Sequence, residues 1–354
     1  MPLEPTALPD LLDHGFDTVI DVRSPAEFAE DHVPGAINLP VLDNEERARV
    51  GTIYKQVSPF DARKLGAALV FRNAAHHIET SLSHHDGGWR PLVYCWRGGQ
   101  RSGSFAWLLK EIGWRSDVIR GGYKTYRRLV VDMLHRDGLP FRFVQLGGYT
   151  GTAKTELLPL LARRGVQVID LEELANHRGS LLGAMGEQPS QKGFESALAG
   201  QLCRLDPARP VLVEAESSKI GQVLLPPSLW DGMKAAPWVE VVAPLEARTE
   251  YLVRAYDDIL SDTASLHAKL APLKAHRGEA LVSRWIGLSA AGDKRLLTRS
   301  LMEDHYDLAY AKSMKAMAPK VIARIETDGL SPPQLDRVAG DIAAVLQSME
   351  TSPA

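Results

Sequence analysis

Apolar and polar positions alternate in short blocks along the first 120 residues. Thr18–Val22 is an apolar run that predicts a buried strand, ending at Asp21-Val22-Arg23. Ser24-Pro25-Ala26-Glu27 then offers an N-cap serine, a proline at the first helical position and a glutamate at N3, the pattern of a capping box. Val33-Pro34-Gly35-Ala36 reads as a turn before a short strand through Leu39. Ser58-Pro59-Phe60-Asp61 repeats the capping pattern and opens a helix to about Ile78. After the polar loop Ser83–Gly88 come a strand over 92–95, a helix to about Ile112 with Phe105, Leu108, Leu109 and Ile112 on one face, and a strand at Asp117–Ile119. Strands and helices alternating at this length predict an α/β domain with a parallel sheet.

The pattern restarts at Phe143-Val144-Gln145-Leu146, after a polar, turn-rich stretch at 135–140. Val166–Ile169, Val211–Val213 and Val239–Val242 predict further buried strands. A proline at 159 is expected to kink the helix that follows the first of the new strands. From about Leu245 the chain reads as helical and polar to its end, with 350–354 expected to fray. The expected organisation is therefore one α/β domain over 1–136, a second over 137–245, and a helical part over 246–354 packed on the second.

Composition narrows the class without naming a chemistry. The 354 residues are 45% hydrophobic and 24% charged, with a net charge of −3, so a nucleic acid would have to meet a local basic patch. Arg120, Lys124, Arg127 and Arg128 supply one, with no acid among them and with Tyr123 and Tyr126 beside them for stacking; the competing reading is a solvated helix face. Two cysteines, Cys95 and Cys203, make no disulfide framework and point to a reducing compartment. Neither a signal peptide nor a membrane span is apparent, so a cytoplasmic location is expected. Cys203 adjoins the helical face Phe194, Leu198, Leu202 and is expected to be structural.

Cys95 is different. It ends an apolar run, faces the loop Trp96-Arg97-Gly98-Gly99-Gln100-Arg101, and precedes a helix amino terminus. Backbone N–H groups and helix dipole lower a thiol pKa there. Gly98 and Gly99 let the loop wrap closely round a ligand, while Arg97 and Arg101 add positive charge.

A second phosphate-binding pattern spans Gly148-Tyr-Thr-Gly151-Thr-Ala153-Lys154-Thr155, with Walker A spacing and an alanine before the lysine. Such loops cradle phosphate in N–H groups, neutralise it with lysine and hold magnesium on the hydroxyl. Alanine costs little at 153 provided its φ is negative. A carboxylate for a magnesium ion at Thr155 is expected at a strand end: Glu214, with Asp170 as competitor.

Asp21–Phe28, His32–Leu39 and the Cys95 loop resemble a rhodanese domain. Joined to a Walker A domain, and with Gly51–Ser58, Asn176–Ser180, Lys192–Ser196, Glu214–Ser217, Lys219–Gly221 and His305–Tyr310, the chain resembles the bacterial tRNA 2-selenouridine synthase family over nearly its whole length. The resemblance implies a rhodanese-like parallel-sheet domain followed by a P-loop NTPase-like α/β domain with a helical C-terminal region. It implies exchange of sulfur for selenium in wobble 2-thiouridine of tRNA, with selenophosphate and geranyl diphosphate as co-substrates and selenophosphate synthetase as a partner. In that family Cys95 carries or receives selenium, Arg97 and Arg101 hold the phosphate-like group, and Lys154 and Thr155 bind a diphosphate. Five residues separate Cys95 from Arg101, one more than in the usual sulfur-transferring loop, which suits a tetrahedral phosphate. A rhodanese-type sulfurtransferase, a cysteine-dependent phosphatase and a tRNA-binding module without catalysis are the alternatives.

Overall fold

The computed structural model describes residues 2–136, 138–179, 183 and 186–351. Residue 137 of the expected linker, Ser180 of the Asn176 motif and 352–354 of the expected frayed end lie outside the described residues. The chain forms two compact units: Met1–Gly138 with Pro189–Arg204, and Leu139–Gln188 with Leu205–Ala354.

The first unit carries a parallel sheet of β1 (Thr18–Asp21), β2 (Ile37–Asn38), β3 (Pro91–Tyr94) and β4 (Asp117–Val118), in the order β2-β1-β3-β4. Ile20 and Val93 pair across its centre and are fully buried, with Phe105 and Leu109 of the helix Gln100–Ile112 packed on the same core. Ile112, expected on that buried face, is exposed at the helix end. Beneath the strand ends Arg23 forks onto Asp21, both almost wholly buried; its Nη2 reaches Asp21 Oδ2 and the Asp31 carbonyl at 2.6 Å each, and its guanidinium lies 4.0 Å from the Tyr123 ring centroid.

The helix Gln191–Leu202 belongs to this first unit, so the expected continuous domain over 137–245 is interrupted. The physical reason is its two faces: Phe194, Leu198 and Leu202 are fully buried, and Glu195 takes an ion pair from Arg127 and a 3.0 Å contact from His135.

The second unit holds β5 (Arg142–Gly147), β6 (Gln167–Ile169), β7 (Pro210–Glu214), the small hairpin β8 (Lys219–Ile220) and β9 (Val223–Leu224), β10 (Trp238–Val242) and β11 (Val321–Glu326). Its main sheet runs β11-β10-β5-β7-β6, all parallel. The tail is not helical throughout, because β11 extends the sheet. Val321, Ala323 and Ile325 alternate with more exposed neighbours, a period-2 pattern that a helix cannot use. The helix Lys154–Arg163 continues through Pro159 without breaking there. It packs with the helix Pro332–Thr351 through Leu157, Leu161, Val338 and Ile342.

Candidate active sites

The Cys95 loop is closed by backbone. Cys95 directly follows β3, and its carbonyl accepts the Tyr123 N–H at 2.8 Å while the Trp96 carbonyl accepts the Lys124 N–H at 3.1 Å. The amino terminus of the helix Tyr123–Val131 therefore clamps the loop. Gly98 has φ +63, and a Cβ there would lie 2.7 Å from the Ile119 carbonyl and 2.8 Å from the Gly121 N. Only glycine fits this crossing.

The thiol is buried, and burial raises its pKa. The Ser102 hydroxyl, donating to Sγ at 3.2 Å, together with the Ser102 N–H, the Arg101 charge and the Arg97 N–H, more than offsets that and leaves the pKa below the ordinary thiol value. Arg101 is steadied by Glu27, its Nη1 3.3 Å from Oε2, and Glu27 also pairs with Arg47. Burial disfavours the Glu27 anion, but Arg101, Arg47 and the Ser24 N–H outweigh it and hold its carboxyl below the usual range. The expected capping glutamate thus also orients the site's arginine. Arg97 and Gly99 are exposed. Tyr94, which precedes the cysteine, is spent on the fold: its buried Oη accepts the Val33 N–H at 3.1 Å.

The second loop joins β5 to the helix Lys154–Arg163. Ala153 has φ +59 and ψ +31, contrary to the negative φ that sequence reasoning required of it. The loop holds alanine in a conformation costing roughly 1–2 kcal/mol. Gly148 donates its N–H to Tyr310 Oη at 3.0 Å, and Arg248 Nη1 donates to the Thr150 carbonyl at 3.1 Å while the guanidinium grips Asp307 at 2.9 Å. Lys154 Nζ folds back onto the Gly148 carbonyl at 3.2 Å.

Beside this loop Glu172, Glu214 and Glu216 place carboxylate oxygens within 4.8 Å of one another. Thr155 Oγ1 donates to Glu172 Oε2 at 2.9 Å, and Glu214 Oε1 accepts the Glu172 N–H at 2.6 Å. Glu214 Oε2 is buried with no hydrogen-bond partner. Burial and then the neighbouring carboxylates raise Glu214 well above the usual range; burial and Glu172 push Glu216 up to about 7. An orphaned carboxylate oxygen, two more carboxylates and a threonine hydroxyl form the hard-oxygen set that magnesium takes. Of the expected pair Glu214 is in this cluster, whereas Asp170 Oδ1 caps the helix Leu171–Leu174 through the Glu173 N–H at 2.8 Å.

The basic cluster divides. Arg120 pairs with Glu4 and Arg127 with Glu195, acids far away in sequence. Lys124 and Arg128 are exposed, one turn apart. Tyr123 and Tyr126 are buried, so they offer no stacking surface, contrary to the sequence reading. They line the core because the helix has apolar residues on that face, Leu129 and Val130 included. Cys203 is half-buried, with its pKa raised by burial, and takes no part in either site. Sequence reasoning passed over Ser102, Gly121, Glu172 and Arg248. Ser102 and Gly121 were signalled only by adjacency to the loop or by a Gly-Gly pair; Glu172 and Arg248 carried no local signal.

Two family models match the chain: the rhodanese-like domain over residues 4–129, and the tRNA 2-selenouridine synthase AAA domain over residues 141–283. A tRNA 2-selenouridine synthase of Hahella chejuensis is 33% identical over 86% of this chain and 88% of its own. That of Cupriavidus pinatubonensis is 33% identical over 86% and 91%, and that of Nitrosomonas europaea 37% identical over 67% and 63%. With both loops intact inside the two matched domains, the chain belongs to the tRNA 2-selenouridine synthase family.

Proposed function

We infer that this chain replaces sulfur by selenium at C2 of wobble 2-thiouridine in tRNA, using selenophosphate, and that S-geranyl-2-thiouridine is the intermediate. The observation that carries the reading is Cys95: a thiol whose pKa is lowered by the Ser102 hydroxyl and N–H and by Arg101, within a loop of N–H donors and arginine.

The chemistry balances without an oxidant. The uridine sulfur attacks C1 of geranyl diphosphate, the C1–O bond breaks, diphosphate leaves, and the N3 proton passes to water. Alkylation turns a poor leaving group into a good one. Cys95 takes the phosphoryl group rather than the selenium the resemblance assigns it, because a sulfur–selenium bond would need an oxidant: at the first loop its thiolate attacks phosphorus of selenophosphate, the P–Se bond breaks and selenide departs. Selenide adds at C2, the C2–S bond breaks and geranyl thiol leaves; water then hydrolyses the S-phosphocysteine to phosphate. Arg97 and Arg101 hold the phosphoryl oxygens, with Glu27 orienting Arg101. Lys154 and the loop N–H groups not already engaged, unlike those of Gly148 and Thr152, hold the diphosphate. Glu172, Glu214 and Glu216, with the Thr155 hydroxyl beside Glu172, would hold a magnesium ion, which would supply charge neutralisation at that leaving group. Arg120, Lys124, Arg127 and Arg128 were all assigned to the tRNA backbone on sequence; Lys124 and Arg128 keep that assignment here.

A selenophosphate synthetase is the natural supplier of the donor, and the reaction belongs in the cytoplasm with its tRNA. Among the described residues no helix is long and apolar enough to cross a membrane. The test is nucleoside mass spectrometry of tRNA from cells carrying only Cys95→Ser: 2-selenouridine is lost and S-geranyl-2-thiouridine accumulates. Normal 2-selenouridine in that strain rules the nucleophile out.

A further inference from the structure

After the helix Leu171–Leu174 the chain makes a tight turn that the sites above do not use. Asn176 and Gly179 take positive φ, +47 and +62, and the His177 N–H donates to the Glu172 carbonyl at 3.0 Å. The turn closes against the carboxylate cluster: a Cβ at Gly179 would press on Glu172 Oε1 and lie 2.7 Å from Glu216 Oε1. Only glycine passes so close. Because Thr155 donates to Glu172, this backbone sits at the Thr155 end of the phosphate loop. The side chain of the preceding residue, Arg178, reaches towards the other end. Its guanidinium carbon lies 4.9 Å from the Tyr256 ring centroid, and Tyr256 borders a recess together with Thr150 of the loop.

A diphosphate on this loop adds negative charge beside three glutamates, and Lys154 already faces Glu172 and Glu216. Arg248 also adjoins the loop, but its Nη atoms are spent on Asp307 and the Thr150 carbonyl. Arg178 is placed differently. It is partly exposed and pairs with Asp258, an exposed carboxylate, at 3.5 Å. Such a pair contributes little, so exchanging it for a stronger anion costs little. The planar fork of a guanidinium matches two phosphoryl oxygens. We propose that Arg178 is a second cation of the diphosphate site and exchanges Asp258 for the phosphoryl oxygens of the bound anion. The proposal rests on the diphosphate reading above and adds the residue that answers the charge on the leaving group.

The test is calorimetric titration of the purified full-length protein with inorganic pyrophosphate in magnesium buffer. Arg178→Gln should weaken binding about tenfold or more, the scale of losing a hydrogen bond to a charged group. Asp258→Asn should tighten it about two- to fivefold, because the competing acid is gone. The opposite signs are the signature. Either variant breaks the ion pair, so a purely structural pair would make both shift affinity the same way, and that result overturns the proposal. Arg178→Lys keeps the charge without the fork and should fall between wild type and Arg178→Gln. Melting curves identify the variants that fold, and Asp258→Asn, at an exposed position, serves if those at 178 do not. Wild-type binding with unchanged affinity in the folded variants overturns the assignment of Arg178 while leaving the diphosphate on the loop. Failure of pyrophosphate to bind the wild-type protein overturns that reading, and this inference with it.

Discussion

The two phosphate loops are built on the same plan and balanced in opposite ways. Each follows a central parallel strand, turns through glycines and feeds a helix amino terminus, a setting that favours negative charge. At Cys95 every close group supports the negative charge: Ser102 donates, Arg101 attracts, and the one nearby acid, Glu27, is occupied by arginines. At Lys154 the neighbours oppose one another, since three carboxylates crowd together and one lysine faces them. The first loop is ready for its anion as folded. The second crowds its own carboxylates, a repulsion that raises the pKa of Glu214 and Glu216 and that protonation or a cation relieves.

Removing the lysine tests the second loop most severely. Lys154→Ala should reduce geranylation about 100-fold or more, the usual scale for losing a charged transition-state contact, while tRNA affinity stays within about threefold. Filter binding and nucleoside analysis read the two effects separately, and intact geranylation would move the diphosphate elsewhere. Next comes Glu214→Gln. At magnesium about 100-fold above its dissociation constant, the wild-type protein should gain about 2.7 kcal/mol, and the variant almost none. Without metal the order should invert, with the variant melting higher because a buried carboxyl crowded by acidic neighbours is replaced by an amide that cannot ionise. A variant that magnesium stabilises as much as wild type would remove Glu214 from the ligand set.

Ser102→Ala probes the first loop. Losing the donor should raise the Cys95 pKa, because the hydroxyl is the largest of the groups that lower it. Because the folded pKa is lowered, the thiolate contributes stability above the unfolded thiol pKa, and that contribution is lost as pH falls through the folded value. Iodoacetamide labelling against pH should show a wild-type midpoint below that of a free thiol and a variant midpoint above the wild-type one; coincident curves would deny the hydroxyl its role. The smallest effect belongs to Ala153→Gly. Relief of the left-handed alanine, partly offset by glycine's entropy, should stabilise the protein by up to about 1 kcal/mol in urea unfolding. Destabilisation would mean that the alanine methyl packs usefully in its buried position.

Much of this comparison is legible in the chain, unevenly. The strands at 18–21, 91–94 and 142–147 follow from apolar runs, because a strand buried on both faces needs nothing but such residues. Cys95, Arg101, Lys154, Thr155 and Glu214 are legible because their spacing along one loop or strand end is itself the geometry of the site. Glu172 and Arg248 differ: their roles depend on what another segment brings near, and nothing local marks them. The basic run 120–128 shows the cost of reading charge without packing, since Glu4 and Glu195 take two of its four cations and the core takes both tyrosines.

The amino-acid sequence determined the two parallel-sheet units and the two anion loops, because periodicity, capping and loop spacing act between residues close in the chain. Tertiary structure alone decided that the helix at 191–202 joins the first unit, that 321–326 completes the second sheet, and that three glutamates from two segments meet beside Thr155. It also set Ala153 at positive φ. Those outcomes come from burial and charge pairing between distant segments, energies that no local pattern contains.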